Sequence, residues 1–179
     1  PLGPCIYNQG KNSKSVLLIG DSHAAQFSDV VKKVATDQGW NAVVWTMAGC
    51  AVIFQQDPPQ ISEKCLTRNL QIYEWIRTNR PDMVIVSQYN GYFLDLKFVQ
   101  EALLSIQPLT KKVVLIGNTP VFPDARFMQT TSILGPSYNA PQSYPLGKMD
   151  SENSFFSREL LNWARGEGMA AVDLNSLWC

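Results

Sequence analysis

The chain has 179 residues, of which 45% are hydrophobic and 17% charged, enough apolar material for one domain with a buried core. Its 15 lysines and arginines balance 15 aspartates and glutamates, so the formal net charge is zero. A neutral chain without a basic run is poorly suited to nucleic acid or to an anionic membrane surface. No apolar stretch approaches the length that spans a bilayer.

Five short apolar runs predict strands, at residues 16–19, 42–45, 83–87, 113–116 and 170–173. They are continuous rather than alternating, which is typical of strands that are covered on both faces.

Helical patterns separate these strands. The first begins near Ala24 and ends at Gly39, and its apolar stripe comprises Phe27, Val30, Val31, Val34 and Ala35. Three more patterns lie at 66–76, at 96–106 and from about 151 to 166 or 168. The alternation predicts βαβ units, and hence a three-layer α/β/α sandwich around a five-stranded parallel sheet.

Residues 119–150 interrupt the alternation with five prolines and four aromatic residues. A connection of this length is often a functional loop. An irregular surface excursion with aromatic side chains tucked into the core explains the pattern equally well.

The chain has four cysteines, at positions 5, 50, 65 and 179, which allow three pairings. Cys50 and Cys65 flank a proline-containing loop, so we expect them to pair with each other, and Cys5 to pair with Cys179. Such disulfides suit an oxidising compartment. Four buried thiols in a reducing compartment are the alternative.

Polar motifs follow four of the predicted strands: "GDSH" (20–23), "AGC" (48–50), "QYNGY" (88–92) and "GNTP" (117–120). Ligands of open parallel sheets bind beyond the carboxyl ends of the strands, so we expect these motifs to converge. A hydroxyl, a glycine amide and two carboxamides suit the stabilisation of an oxyanion better than metal binding. No metal or other cofactor is expected.

Ser22 has two interpretations. As a nucleophile it lies at the start of a helix, whose N-terminus supplies positive potential, and its N–H, the N–H of Gly49 and the Asn90 side chain form an oxyanion hole. As a structural residue it caps the helix. Gly49, Asn90 and Asn118 likewise have a second interpretation, as ordinary turn residues.

"LLIGDSHAAQF" resembles the first block of the SGNH, or GDSL-type, esterase superfamily. The histidine and alanine after the serine resemble the version found in domains fused to membrane-bound acyltransferase-3 proteins. Four further segments are similar to later blocks of that group: "MAGCAV", "KCLTRNLQIYEWIRTNRPDMVIVS", "KKVVLIGNTPVFP" and "AVDLNSLWC". The resemblance covers nearly the whole chain and implies the flavodoxin-like SGNH hydrolase fold.

The resemblance implies that Ser22 is the nucleophile and Gly49 the oxyanion glycine. Asn90 is the matching asparagine, although "SQYNGYF" departs from the family's Gly-x-Asn-Asp pattern. We further expect Asp21, His23 and Asn118 to contact the substrate.

The family's catalytic base lies in an Asp-x-x-His block after the last strand, and residues 1–179 contain no such block. His23, the one histidine, is a poor substitute because adjacent helical residues point in different directions. We expect residues 1–179 to be a single domain cut from a longer membrane protein that carries the block downstream. The alternative is a degenerate relative that binds without turnover.

The expected function is the transfer of an O-acyl group to or from a cell-envelope polysaccharide outside the cytoplasm. The acyl group is expected to be acetyl. An acyltransferase-3 membrane domain, N-terminal in the same protein, and a glycan acceptor are the expected partners. A glycan-binding module of an acyltransferase complex is the alternative function. A flavodoxin-like redox or small-molecule domain is disfavoured, because no glycine-rich phosphate loop is present and Asp21 repels anions.

Overall fold

A computed structural model describes residues 3–7, 14–54, 61–89, 96–118, 131–132, 135–136 and 151–177. Among these residues, no helix is long and apolar enough to cross a membrane.

The main sheet contains all five predicted strands, here β2 (Ser15–Gly20), β3 (Asn41–Thr46), β4 (Met83–Ser87), β5 (Lys112–Ile116) and β8 (Ala170–Val172). They are parallel and lie in the order β3-β2-β4-β5-β8, the flavodoxin-like order 2-1-3-4-5. The predicted strands are confirmed to within one residue at each end.

A sixth strand, β1 (Cys5–Tyr7), pairs antiparallel with β3 at the edge of the sheet. The sheet is therefore mixed and six-stranded, where five parallel strands were expected. Three residues are too few to produce a recognisable hydrophobic period, which is why the sequence does not reveal this strand. A separate two-stranded ladder pairs β6 (Thr131–Ser132) with β7 (Gly135–Pro136), inside the segment 119–150.

Within the described residues, five α-helices connect the strands: α1 (Ser22–Ala25), α2 (Ser28–Asp37), α3 (Glu63–Asn79), α4 (Lys97–Ile106) and α5 (Ser151–Gly166). Apolar residues of α3, α4 and α5 pack on one face of the sheet, as at Ile72, Leu103 and Leu160. Val31 and Ala35 of α2 pack on the other face. Helices thus lie on both sides of the sheet, as the strand pattern predicts.

The first predicted helix is wrong in two respects. It is split, since α1 ends at Ala25 and α2 begins at Ser28. Val30 and Val34 are 60% and 55% exposed, so the buried face of α2 is a narrow line through Val31 and Ala35. Apolar residues on two adjacent helical faces produce the same period as one wide stripe, and the sequence cannot tell which face is buried.

Strand order reverses between β2 and β4, because the chain turns from β2 to β3 on one side and then returns to β4 on the other. In doubly wound sheets, this switch point forms a crevice beyond the carboxyl ends of the strands. Ser22 lies two residues after the end of β2, and Gln88 follows β4 directly. Both therefore lie at the carboxyl ends of strands where such a crevice is expected.

Candidate active site

The Ser22 turn, residues 20–23, begins with a glycine that the fold requires. Gly20 ends β2 with φ +143°, and a Cβ there would lie 1.7 Å from the carbonyl oxygen of Ser87 in β4. Every other side chain would collide with this backbone oxygen, so only glycine allows β2 and β4 to remain paired at this point.

Asp21 is the residue that caps α1. One carboxylate oxygen accepts the His23 N–H at 2.8 Å, and the other accepts the Tyr89 N–H at 2.9 Å. Burial by itself would raise the pKa of Asp21, but the nearby His23 side chain and the hydrogen bonds from the backbone N–H groups of Tyr89 and His23 hold that pKa below its usual value. Asp21 has 0% of its surface exposed and supports the turn from within. Substrate contact by Asp21 stays a prediction.

Asp21, and not Ser22, is therefore the residue that caps α1. Because the Asp21 carboxylate fills the capping position, the Ser22 hydroxyl is not needed for it, and Ser22 lies exposed as the first residue of α1. The expected support from a long helix is not observed, however. α1 has only four residues, so its contribution to the local potential is correspondingly small.

The Gly49 loop, residues 46–50, follows β3 beside the Ser22 turn. Met47 donates its N–H to the carbonyl of Gly20 at 3.1 Å, and Cys50 donates to the carbonyl of Met47 at 3.1 Å. Gly49 is exposed with φ +72°, and no atom lies within 4 Å of the position of a Cβ. Glycine is favoured here by the backbone conformation and not by crowding. The role of its N–H as an oxyanion donor stays a prediction.

The expected Cys50–Cys65 disulfide is present, with Cα atoms 5.3 Å apart. It joins the end of the Gly49 loop to the first turn of α3. Cys5 is exposed in β1, whereas Cys179 lies outside the described residues, so the Cys5–Cys179 pairing stays a prediction.

His23 and Tyr89 form an aromatic pair beside Ser22. Their ring centroids are 5.3 Å apart and their planes differ by 23°, a stacked arrangement. The Nδ1 atom of His23 lies 3.6 Å from a carboxylate oxygen of Asp21. The ring is therefore held between Asp21 and Tyr89. Substrate contact by His23 stays a prediction.

Of the two asparagines predicted to lie in the site, the structure describes only Asn118. Asn90 lies outside the described residues. Asn118 follows β5, is buried, and donates its N–H to the Ser157 hydroxyl at 3.1 Å. Substrate contact by Asn118 stays a prediction.

A buried polar network beneath the Gly49 loop was not anticipated from the sequence. Arg68 donates to the carbonyls of Gly20, at 2.8 Å, and of Trp45. It also donates to the side-chain oxygen of Asn69, at 2.9 Å. A hint exists, because Asn69 occurs at helical spacing between Cys65 and Ile72 on the apolar face of α3.

Two side-chain amides extend the network to the residues after the loop. Asn69 donates to the Ala51 carbonyl at 2.7 Å. Gln88, buried directly after β4, accepts the Val52 N–H at 2.7 Å. The segment around Gly49 is thus tied both to α3 and to the end of β4.

The fold resembles two solved structures. One is the periplasmic domain of a lipopolysaccharide acetyltransferase from Salmonella ser. Paratyphi A, with a TM-score of 0.65 over 93% of this chain and 68% of that chain, at 14% identity. The other is a variant of an acetyl-xylooligosaccharide esterase from Geobacillus, with a TM-score of 0.47 over 93% of this chain and 78% of that chain, at 14% identity. The first likeness shows a shared fold.

Comparison with curated protein sequences found no match. The family model described as "SGNH domain (fused to AT3 domains)" matches residues 1–179, the whole chain. This chain therefore belongs to the family of SGNH domains that are fused to AT3 domains.

Proposed function

We propose that this domain transfers an O-acyl group to or from a cell-envelope polysaccharide, with Ser22 as the nucleophile. The acyl group that we propose is acetyl. The observation that carries the proposal is the division of roles in the Ser22 turn. Asp21 caps α1 with its carboxylate, and Ser22 is left exposed at the switch point of the sheet. The membership of the SGNH family supports the same reaction class.

In the proposed reaction, Ser22 Oγ attacks the acyl carbonyl carbon, and its proton passes to a base. The N–H groups of Ser22 and Gly49 and the side-chain amide of Asn90 stabilise the negative oxygen. The bond to the leaving hydroxyl then breaks, the base returns the proton to that oxygen, and an acyl-serine remains. Attack by water or by a sugar hydroxyl on the acyl-serine releases Ser22 and completes hydrolysis or transfer.

The base is proposed to come from an Asp-x-x-His block of the parent protein beyond residue 179. His23 is a poor candidate, because its ring stacks on Tyr89 and its Nδ1 faces Asp21. His23 and Tyr89 are instead proposed to form the wall against which the acyl group or the sugar packs. Without a base, a serine hydroxyl is a weak nucleophile, so the activity belongs to the complete protein.

The proposed setting is outside the cytoplasm, beside an acyltransferase-3 membrane domain of the same protein that supplies the acyl group. Three observations support it. The family is described as fused to AT3 domains, the solved structure with the same fold is a periplasmic domain, and the Cys50–Cys65 disulfide suits an oxidising compartment. That structure's description as a lipopolysaccharide acetyltransferase supports a glycan acceptor.

The test uses the full-length parent protein and measures the acetylation of its envelope polysaccharide. Ser22→Ala removes the nucleophile and should abolish acetylation while leaving the fold intact. Ser28→Ala changes a serine at the start of the neighbouring helix α2 and serves as the matched control. Acetylation that persists undiminished in the Ser22→Ala protein would contradict the proposal.

A glycan-binding module without turnover is the second candidate. The placement of His23 favours it, because the single histidine of residues 1–179 is held against Tyr89 and Asp21. Glycan binding by the full-length protein, together with no reaction at Ser22 with a fluorophosphonate, would select this candidate.

A further inference from the structure

Arg68 is a charged residue almost wholly inside the protein, on α3, with 3% of its surface exposed. Burial lowers the pKa of Arg68 to about 10, while the negative charge of Asp21 acts in the opposite direction. The guanidinium therefore stays charged at neutral pH. Within the described part of the chain, no carboxylate lies within ion-pair distance of it.

Burying a charge without a paired carboxylate costs desolvation free energy that no ion pair offsets. An apolar side chain of similar volume often stabilises a protein interior as well or better. The hydrogen bonds of Arg68 explain why an arginine is placed here.

One guanidinium nitrogen of Arg68, Nη2, donates to the carbonyls of both Gly20 and Trp45. Gly20 begins the Ser22 turn and lies two positions before the nucleophile. Trp45 lies directly before the Gly49 loop. Met47, within that loop, donates its N–H to the same Gly20 carbonyl. A single side-chain atom thus spans the exits of β2 and β3 and fixes the spacing between them.

Two neighbours on the same face of α3 hold the end of the Gly49 loop and the residue that follows it. Cys65 is joined to Cys50, and Asn69 donates to the Ala51 carbonyl. Both attach to residues after Gly49, whereas Arg68 attaches before it. Of these three contacts, that of Arg68 is the one that also reaches the nucleophile's strand.

We propose that Arg68 is a positioning residue that fixes the Gly49 loop against the Ser22 turn, so that the oxyanion donors face the acyl carbonyl. This inference rests on the proposed function. Its effect is expected in the transition state, because a displacement of about 1 Å in a reacting geometry costs on the order of 100-fold in rate. The guanidinium charge adds to the positive potential at the site, which acts on the oxyanion rather than on the neutral ester.

The experiment uses the full-length protein and an acetyl ester, with active sites titrated by a fluorophosphonate so that kcat is expressed per competent site. Arg68→Met should lower this kcat by roughly 10- to 100-fold and leave KM within about twofold, because the lost contacts matter most in the transition state. Arg68→Lys should lower kcat by about 5- to 10-fold, since a lysine keeps the charge but cannot reproduce the guanidinium fork.

Ile76→Ala is the matched control. Ile76 is fully buried two turns further along α3, and its apolar side chain can make no hydrogen bond to the network. A purely structural loss should reduce the number of titratable sites and leave kcat per site unchanged. Wild-type kcat per site in Arg68→Met overturns the inference, and if that variant fails to fold, wild-type kcat per site in Arg68→Lys does the same.

Ser22→Ala, measured in parallel, separates the two proposals. An active Ser22→Ala protein contradicts the proposed function itself. An inactive Ser22→Ala protein with fully active Arg68 variants contradicts the positioning role alone.

Discussion

The carboxylate of Asp21 accepts the backbone N–H of Tyr89 at 2.9 Å, which joins the residue before Ser22 to the segment that follows β4. The other carboxylate oxygen caps α1 through the His23 N–H. Asp21 thus fixes the Ser22 turn across the switch point of the sheet and leaves the serine hydroxyl outside the capping arrangement.

Asp21→Asn should lower the free energy of unfolding by about 1–3 kcal/mol at pH 7, because an asparagine cannot accept both N–H groups equally well. The pKa of Asp21 is lowered in the folded protein from its ordinary 3.8. Ionised Asp21 therefore stabilises the fold above about pH 4, and this stabilisation is lost as the pH falls through the lower folded-state pKa. Urea unfolding at several pH values measures the difference between variant and wild type, which should shrink in acid.

Asp29→Asn is the control for that experiment, since the Asp29 side chain is 94% exposed. It should change stability by no more than about 0.5 kcal/mol. Equal effects of Asp21→Asn and Asp29→Asn at pH 7 would show that the buried carboxylate does not hold the turn.

Gly20→Ala should prevent correct folding or lower the unfolding free energy by at least about 3 kcal/mol, because the new Cβ collides with a backbone oxygen and the positive φ adds strain. Gly39→Ala is the matched comparison, with φ +66° and no atom within 4 Å of its Cβ. That change should cost only about 1–2 kcal/mol. Thermal unfolding compares the pair, and similar losses would contradict the close approach of β2 and β4 at Gly20.

Removing the Cys50–Cys65 disulfide should lower the unfolding free energy by about 3 kcal/mol, the value for a closed loop of about 15 residues. The two cysteines are separated by 15 positions. The measurement compares the Cys50→Ala/Cys65→Ala protein with the wild type, each with and without reductant. Reductant should lower the unfolding free energy of the wild type more than that of the double variant. An equal loss in both proteins would show that this disulfide contributes little to stability.

The His23–Tyr89 stack should matter for substrate packing. Tyr89→Phe keeps an aromatic ring and should leave KM for an acetylated glycan nearly unchanged. Tyr89→Ala removes the ring and should raise KM by roughly 2- to 10-fold, the range expected for one aromatic contact. Steady-state kinetics of the full-length protein compares them, and identical KM values for all three proteins would remove the stack from the binding site.

Much of the fold could be predicted because a parallel sheet buried on both faces leaves continuous apolar runs in the sequence. β4 and β5 are such runs, and both were found within one residue of their observed ends. β1 was missed because three residues carry no period. The buried face of α2 was misjudged because Val30 and Val34 share the helical spacing of its buried residues.

The candidate site was predictable in outline only. Both Asp21 and Ser22 are good capping residues, so the sequence could not decide which one caps α1. In the structure Asp21 caps α1, because its carboxylate accepts a hydrogen bond from the His23 N–H, and it accepts a second one from the Tyr89 N–H. The sequence does not reveal the role of Arg68, because a charged residue on a helix is ordinarily solvent-exposed. The burial of Arg68 depends on two carbonyls that are distant in sequence.

The most direct measurement is peptide mass mapping of the full-length protein after treatment with a fluorophosphonate. We predict one covalent adduct, at the Ser22 side chain, and no adduct at Ser28. An adduct at a different serine, in a protein that acetylates its glycan normally, would contradict the assignment of Ser22 as the nucleophile.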